Sequence, residues 1–548
     1  MHRKHGRLLR PIYLVLAIQA ALSLLACSNS PSQRVDLVPE LPPQELSELD
    51  SELDQDADLQ TETDQDADLQ DQVDADESDD GPDLADLESP DEQDEPATDL
   101  IPDEDLSGSL EELIRDSSFA DLLLSPQPVP LAELDSARAA LWHKYVAALS
   151  ADAERRAEHD AQALEYGDKT MRFSLERRGE APESGFPLYI ALHGGGGAAP
   201  AVNDSQWEAM KVYYRSSVEQ GIYVAPRGVT NTWNLHFVDE SYPLYDRLIE
   251  NLVAYEGVDP NRVYLLGFSA GGDGVYQITP RMADRWAAAN MSAGHHNGIT
   301  FDNLHDTPLL LQVGELDSAY DRAAVAVRNH IAMNALTEAR GGYVHDCFLH
   351  YQGTHNSWRD NEPMGSPQLV LSDPVAWLEQ GSTRTSSKDT NAVHWLSRYS
   401  RQPHPAELFW DANVRAPRSV ATGTRYVAQV PEASALLSRP EDLFFWADSS
   451  ASATPTDTLQ LRFVRAENRL EVLQSGGATR LRLLLSPEML DLSLPIALIV
   501  DGVELEPVTL SASLSVMTRT LLERGDPQFI FATELSLTRV EDTWSVLR

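Results

Sequence analysis

Apolar residues recur with two different rhythms along this chain, and the change between them divides it. Positions 110–124 and 131–164 carry apolar residues at helical spacing among many Ala, Glu and Arg, which predicts a helical segment over 107–168. From 169 onward, short apolar runs alternate with longer helical patterns. Strands are expected at 171–175, 187–192, 222–225, 263–266, 287–291, 309–313 and 343–351, the last of the series. Helices are expected at 242–255, 273–278, 320–339 and 374–379, closing this domain near residue 385. Strand and helix in alternation predict an α/β fold with a mostly parallel sheet, here assigned to 169–388.

The rhythm changes again towards the end. Strand-like runs at 460–464, 469–473, 479–485, 496–500 and 503–510 predict a smaller C-terminal β-rich domain over 389–548. Asp501-Gly502, between the last two runs, is a hairpin signal. Trp395, Trp410, Phe444, Phe445 and Trp446 suit a packed core, and the alternative is an exposed face for a polymer or glycan.

Charge alters the picture at the other end. The formal net charge of the 548 residues is −45, which argues against nucleic acid as a partner. The 32 carboxylates from Asp36 to Glu112 have no Lys or Arg among them, so about −13 belongs to the rest. The run DQDADLQ occurs at 54–60 and again at 64–70. Too few apolar groups and one sign of charge predict a disordered, self-repelling tether over 28–106. As a flexible coil, about 80 residues span roughly 50 Å, and repulsion extends that further.

Before the tether, Arg3, Lys4, Arg7 and Arg10 precede an apolar stretch at 12–25 that is short for a membrane span. Leu24-Leu25-Ala26-Cys27 then resembles the lipobox of bacterial lipoproteins. That resemblance implies a signal peptide over 1–27, lipidation of Cys27, and export to the bacterial cell envelope, at the outer membrane or cell surface. An ordinary cleaved signal or an uncleaved anchor is the alternative. Cys347 is the other cysteine of two; no disulfide framework is available, and its strand context predicts a buried small hydrophobe.

The expected strand at 263–266 runs into Gly267-Phe268-Ser269-Ala270-Gly271, a G-x-S-x-G pentapeptide followed by helix-compatible sequence. Strand, tight turn and helix form a nucleophile elbow, with Ser269 at the apex and the helix's positive end behind it. An acyl-transfer serine needs oxyanion donors, a base and an acid that orients the base. His193-Gly194-Gly195-Gly196-Gly197 ends an expected strand, so backbone N–H groups of Gly194 and Gly195, with that of Ala270, are the candidate oxyanion donors. Asp317, just beyond the run at 309–313, is the candidate acid, with Glu315 and Asp321 as rivals from the same loop. His355, in a Gly-containing loop past 343–351, is the candidate base, and His350 its rival inside the strand pattern. Trp233-Asn234 and His295-His296 are candidate cleft walls. His236 joins no recognisable metal-ligand spacing, so neither a metal nor a cofactor is expected.

His193 to Gly197, Asp259-Pro260-Asn261-Arg262-Val263-Tyr264 leading into Gly267 to Gly272, Gly314 to Asp317, and Gly353-Thr354-His355 together resemble the esterase family of poly(3-hydroxybutyrate) depolymerases, which includes feruloyl and acetylxylan esterases. The resemblance covers roughly 170–380. It implies an α/β-hydrolase fold, Ser269 as nucleophile, Asp317 and His355 as its partners, and cofactor-free ester hydrolysis. Two features depart from the family: a glycine replaces the cysteine often found in the oxyanion loop, and the disulfides of secreted members are missing. The expectation is a surface-anchored serine esterase acting through an acyl-enzyme on carboxylic esters, polymeric or polysaccharide-linked ones included. A serine peptidase of the same fold, and a catalytically inactive glycan- or polymer-binding lipoprotein, are the alternatives.

Overall fold

The computed structural model describes residues 106–361, 369–371, 373–381, 385–387, 390–416, 443–449 and 458–547. The expected signal peptide with Cys27, and the acidic tether up to 105, lie outside the described residues.

Four helices come first: α1 (Leu106–Asp116), α2 (Phe119–Leu123), α3 (Leu134–Ala151) and α4 (Ala153–Asp160). The helical pattern over 131–164 is therefore not one helix. Asp152 breaks it in extended conformation, and its side chain accepts the Arg155 N–H at 3.0 Å as a cap. Leu164, which continues the helical spacing in sequence, stands instead on strand β1 (Ala163–Tyr166). Residues 167–168 turn that strand back onto β2 (Lys169–Arg178), and Leu164 pairs with Met171. The helices form no separate stalk. Leu134, Ala137, Leu141, Tyr145 and Leu149 line one buried stripe of α3, continuous with the core beneath the main sheet.

The central sheet has ten strands in the order β1-β2-β4-β3-β5-β6-β7-β8-β9-β10. Its strands β3 (Phe186–Leu192), β4 (Gly221–Pro226), β5 (Val258–Phe268), β6 (Ala288–Ser292), β7 (Leu309–Gly314) and β8 (His345–His350) are mutually parallel. They read as near-continuous apolar runs because both faces are covered. Leu188, Ile190 and Leu192 of β3 join the apolar cluster that also takes in α6 (Ser241–Glu256), α7 (Ala270–Arg281) and α8 (Arg322–Arg340); Tyr189 and Ala191 join that of α5 (Pro200–Tyr213) on the other side. This is the doubly wound arrangement of an α/β-hydrolase.

The sheet does not end at β8. Strands β9 (Leu369–Leu371) and β10 (Thr385–Ser387) continue it antiparallel, flanking α9 (Pro374–Gln380). Helix α10 (Ala392–Leu396) then packs on the α5 face, where Trp395 is fully buried, and the Arg401 N–H bonds to the Asn261 carbonyl at 2.8 Å. The layer built on the central sheet thus runs past the expected boundary at 388.

Beyond it, β11 (Glu407–Asp411) to β20 (Thr543–Val546) build two five-stranded sheets. Asp501 and Gly502 form the expected tight turn, both with positive φ (48° and 79°). Sequence patterning overlooked β11, the pair β19 (Thr533–Val540) and β20, and helix α11 (Leu514–Arg524), whose Leu514, Met517 and Leu521 enter the core. Trp410, Phe444, Phe445 and Trp446 are all buried, so the glycan-binding alternative for these aromatics is overturned: they pack the core. One continuous apolar cluster links the N-terminal helices, one face of the central sheet and the β-rich region.

Candidate active site

The elbow follows from steric necessity. Ser269 adopts φ 57°, ψ −122°, a strained conformation for a residue with a side chain. A Cβ on Gly267 would lie 2.2 Å from the Gly271 carbonyl oxygen, and one on Gly271 would lie 2.1 Å from that of Leu192. Only glycine lets helix α7 start this close to the sheet, and the N-terminus of α7 meets Ser269 as the sequence predicts. The Ser269 N–H donates to the Ser292 carbonyl at the end of β6, 2.9 Å away, which holds the turn down.

His355 and Asp317 converge on it. The Ser269 hydroxyl lies 3.0 Å from His355 Nε2, and His355 Nδ1 lies 2.7 Å from Asp317 Oδ2. Asp317 is buried, His355 is half-buried, and its ring lies 5.4 Å from that of Phe268. With Nδ1–H donating to the carboxylate, Nε2 is free to accept the serine proton. The second carboxylate oxygen of Asp317 faces the Arg322 guanidinium at 3.7 Å.

The rivals are placed elsewhere. Glu315 accepts hydrogen bonds from Trp377 Nε1 at 3.2 Å and the Gln352 N–H at 2.8 Å, tying loops together. Asp321 is exposed and pairs with Arg328. His350 is buried, stacked on Trp358 at 4.1 Å and bonded to Gln312.

The glycine loop lies directly against Ser269. A Cβ on Gly194 would stand 3.4 Å from Ser269 Cβ, and one on Gly196 would stand 3.2 Å from Ala270 Cβ. The Gly196 N–H is committed to Asn203 Oδ1 at 2.8 Å. No acceptor among the described residues takes the N–H of Gly194, Gly195 or Ala270. His193 supports this loop from below. Its Nε2 accepts the Gly228 N–H at 3.0 Å, so the proton sits on Nδ1 and reaches the Gly194 carbonyl at 2.6 Å. Burial drives its pKa well below the usual value, and His236 and Arg227 nearby add to the effect. It is a neutral strut.

His236 is another. It bonds to the His193 carbonyl oxygen at 2.9 Å, and burial pushes its pKa down to about 4. Among the described residues no group of three His, Cys, Asp or Glu comes together as a metal site. Trp233 adjoins Gly196 and keeps 56% of its surface exposed, so it stands open at the rim. His295 and His296 stack 5.3 Å apart beyond β6, where Asp273 of α7 accepts the His295 N–H at 2.6 Å. Cys347 is buried and free, and burial raises its thiol to about 12, which makes it inert.

No family model matches the chain, and no curated protein matches it. Solved structures do. One is a thermostable esterase, at 19% identity over 44% of this chain and 62% of that one, with a TM-score of 0.31. Another is a phospholipase/carboxylesterase from Dyadobacter fermentans, at 18% identity over 36% of this chain and 95% of that one, TM-score 0.26. A third is a putative dipeptidyl aminopeptidase IV from Bacteroides ovatus, at 17% identity over 36% of this chain and 33% of that one, TM-score 0.28. The chain therefore spans less than two thirds of the thermostable esterase's length and a third of the peptidase's.

Sequence reasoning missed several supporting residues: His193 as a strut, Asn203 as the acceptor that removes Gly196 from the donor set, and the carboxylate of Asp360 beneath the site. One signal was present. Asn290 and Gln312 are polar residues inside the expected apolar strands at 287–291 and 309–313, and a polar side chain in a fully buried strand announces a hydrogen-bonded network.

Proposed function

We propose that this protein is a serine esterase that hydrolyses carboxylic esters through an acyl-enzyme. One observation carries the reading: a serine at a strained strand–helix turn, with its Oγ 3.0 Å from an imidazole whose other nitrogen is 2.7 Å from a buried carboxylate. Ser269 Oγ attacks the ester carbonyl while His355 Nε2 takes its proton. Asp317 holds the ring in the Nδ1–H tautomer and stabilises the imidazolium. Negative charge on the carbonyl oxygen is met by the N–H groups of Gly194, Gly195 and Ala270. His355 returns the proton to the leaving alcohol, then activates the water that frees the acyl group and restores Ser269. No step calls for a metal or cofactor.

The test is a fluorophosphonate adduct located by mass spectrometry. Labelling at Ser269, lost in Ser269→Ala, is expected. A folded chain that takes no label would sink the hydrolase reading. Short-chain p-nitrophenyl esters against matched amides then separate esterase from peptidase.

The lipobox-like run supports a second part of the proposal: lipidated Cys27 anchors the enzyme to the bacterial envelope, and the acidic tether lets it reach bulky esters. Each buried CH₂ contributes roughly 0.8 kcal/mol, so several acyl chains on one residue would hold the protein at a membrane. In a bacterial host, Cys27→Ser is expected to abolish incorporation of labelled palmitate and to move the protein from the membrane to the soluble fraction. Label retained by the variant would refute the anchor.

A further inference from the structure

His355 stands in a stretch, 351–361, that contains neither helix nor strand, yet its Nε2 is held 3.0 Å from Ser269 Oγ. Something must hold that stretch at both ends. Its beginning is fastened to the Asp317 loop: the Leu316 N–H donates to the Gly353 carbonyl at 2.7 Å. Its end is fastened by Asp360, whose side chain enters the sheet and is fully buried.

Four donors converge on the Asp360 carboxylate, one on Oδ1 and three on Oδ2. They are the Tyr213 hydroxyl at 2.8 Å, the Tyr214 hydroxyl at 2.6 Å, Asn290 Nδ2 at 3.2 Å and the Ser292 hydroxyl. No Lys or Arg pairs with it among the described residues. Asn290 is also the start of a line of side chains beneath the triad. Its Oδ1 accepts from Gln312 Nε2 at 2.9 Å, and Gln312 Oε1 accepts from His350 Nε2 at 3.1 Å. These residues stand on β6, β7 and β8 in turn, and every bond donates towards Asp360. A terminal group that only accepts sets that direction, and with it both amide orientations and the His350 proton. Trp358, two residues before Asp360, stacks on His350, so the loop that carries His355 rests on the far end of the same line. Ser292 connects the near end to the nucleophile, because its carbonyl oxygen accepts the Ser269 N–H.

We infer that Asp360 is the positioning residue of this site: its carboxylate terminates a buried hydrogen-bond relay across β6, β7 and β8 and thereby sets the loop that holds His355 against Ser269. It touches no substrate and acts through His355. The inference rests on the esterase reading for its rate assay, and a spectroscopic readout is independent of that reading.

The experiment compares the full chain with Asp360→Asn and Tyr214→Phe, using p-nitrophenyl acetate turnover and the low-field NMR proton of the His355–Asp317 hydrogen bond. Asp360→Asn keeps the shape but turns two acceptor sites into donors. Its kcat is expected to fall by about ten- to a hundredfold, the scale of a small misplacement of reacting groups. KM is expected to stay within about twofold, since a positioning defect acts after binding. The low-field proton is expected to shift or broaden, while circular dichroism stays unchanged. Tyr214→Phe removes one donor and is expected to cost about three- to tenfold in kcat, the worth of a single hydrogen bond; it decides the matter if Asp360→Asn does not fold. Wild-type kcat with an unmoved proton in a folded variant would overturn the inference. So would a rate loss that vanishes once corrected for folded protein. If the parent chain hydrolyses no ester, the esterase reading fails and the proton alone decides: unmoved in the variants, it overturns the positioning role.

Discussion

Ser269→Ala is expected to lower kcat for a p-nitrophenyl ester by about 10⁴- to 10⁶-fold, with KM nearly unchanged. In the proposed mechanism Ser269 is the nucleophile; its hydroxyl is aligned with the His355–Asp317 pair and makes no other hydrogen bond among the described residues. Removing it leaves the glycine loop able to polarise a bound carbonyl, so a small residual rate over water remains. If the three residues act as a unit, as proposed, His355→Ala should cost about as much, and adding it to Ser269→Ala should cost little more. Asp317→Asn keeps the ring in place but accepts and donates differently at Nδ1, so its expected loss is about 10⁴-fold. The measurements are steady-state rates on chains with matched circular dichroism. A Ser269→Ala rate within tenfold of the parent would move the chemistry to another residue, and a simple multiplication of the single losses would mean that the three do not act together.

Arg285→Ala is expected to cost about 3–5 kcal/mol of stability, although Arg285 has no place in the chemistry. It sits just after α7, fully buried, where three parts of the chain meet. Its guanidinium reaches Asp246 on α6 at 2.9 Å, Asp526 beyond α11 at 3.4 Å, and the Arg524 carbonyl at 2.7 Å. Around it, Arg401 pairs with Asp526 at 2.9 Å, Arg155 of α4 with Glu250 at 3.1 Å, and Arg524 with Asp284. Among the described residues, four arginines of this group face four carboxylates. Burial opposes the charge on Arg285, but Asp246, Asp526 and Glu250 hold its pKa above the usual value. Deleting this cation removes the positive charge that faces Asp246, Asp526 and Glu250 and leaves the interior with an excess of carboxylate, a costly way to break such a network. Urea unfolding followed by tryptophan fluorescence measures the loss, and a change below about 1 kcal/mol would mean that the network is not tightly desolvated. The same contacts predict that a chain stopped before 405 will not yield a soluble esterase, since Asp284 and Arg285 would lose Arg524 and Asp526. The described residues accordingly belong to one compact unit.

The parts written in local sequence are those whose physics is local. The elbow is legible because Gly267 and Gly271 are demanded by contacts within a few residues and because strand and helix periods flank them. Asp501-Gly502 is legible for the same reason, since the turn alone requires positive φ. The order of Ser269, Asp317 and His355 follows from parallel strands that all present their C-terminal ends to one rim. Tertiary structure decided what depends on facing partners. It separated Asp317 from Glu315 and His355 from His350, residues two and five positions apart, by the partner each side chain reaches: Asp317 meets His355, Glu315 ties Trp377 to Gln352, and His350 bonds to Gln312. It broke the helical pattern at Asp152, which caps the next helix, and again at Leu164, where pairing with β2 outweighed periodicity. It moved Trp395 into the layer built on the central sheet and buried Trp410 and Trp446, because apolar side chains look alike in sequence whether they cover a core or a ligand. It also joined charges more than 200 positions apart, Asp284 with Arg524, in a network that no window of sequence contains. Period and turn chemistry are properties of neighbours along the chain; the register of parallel strands and the pairing of buried charges exist only once distant segments meet.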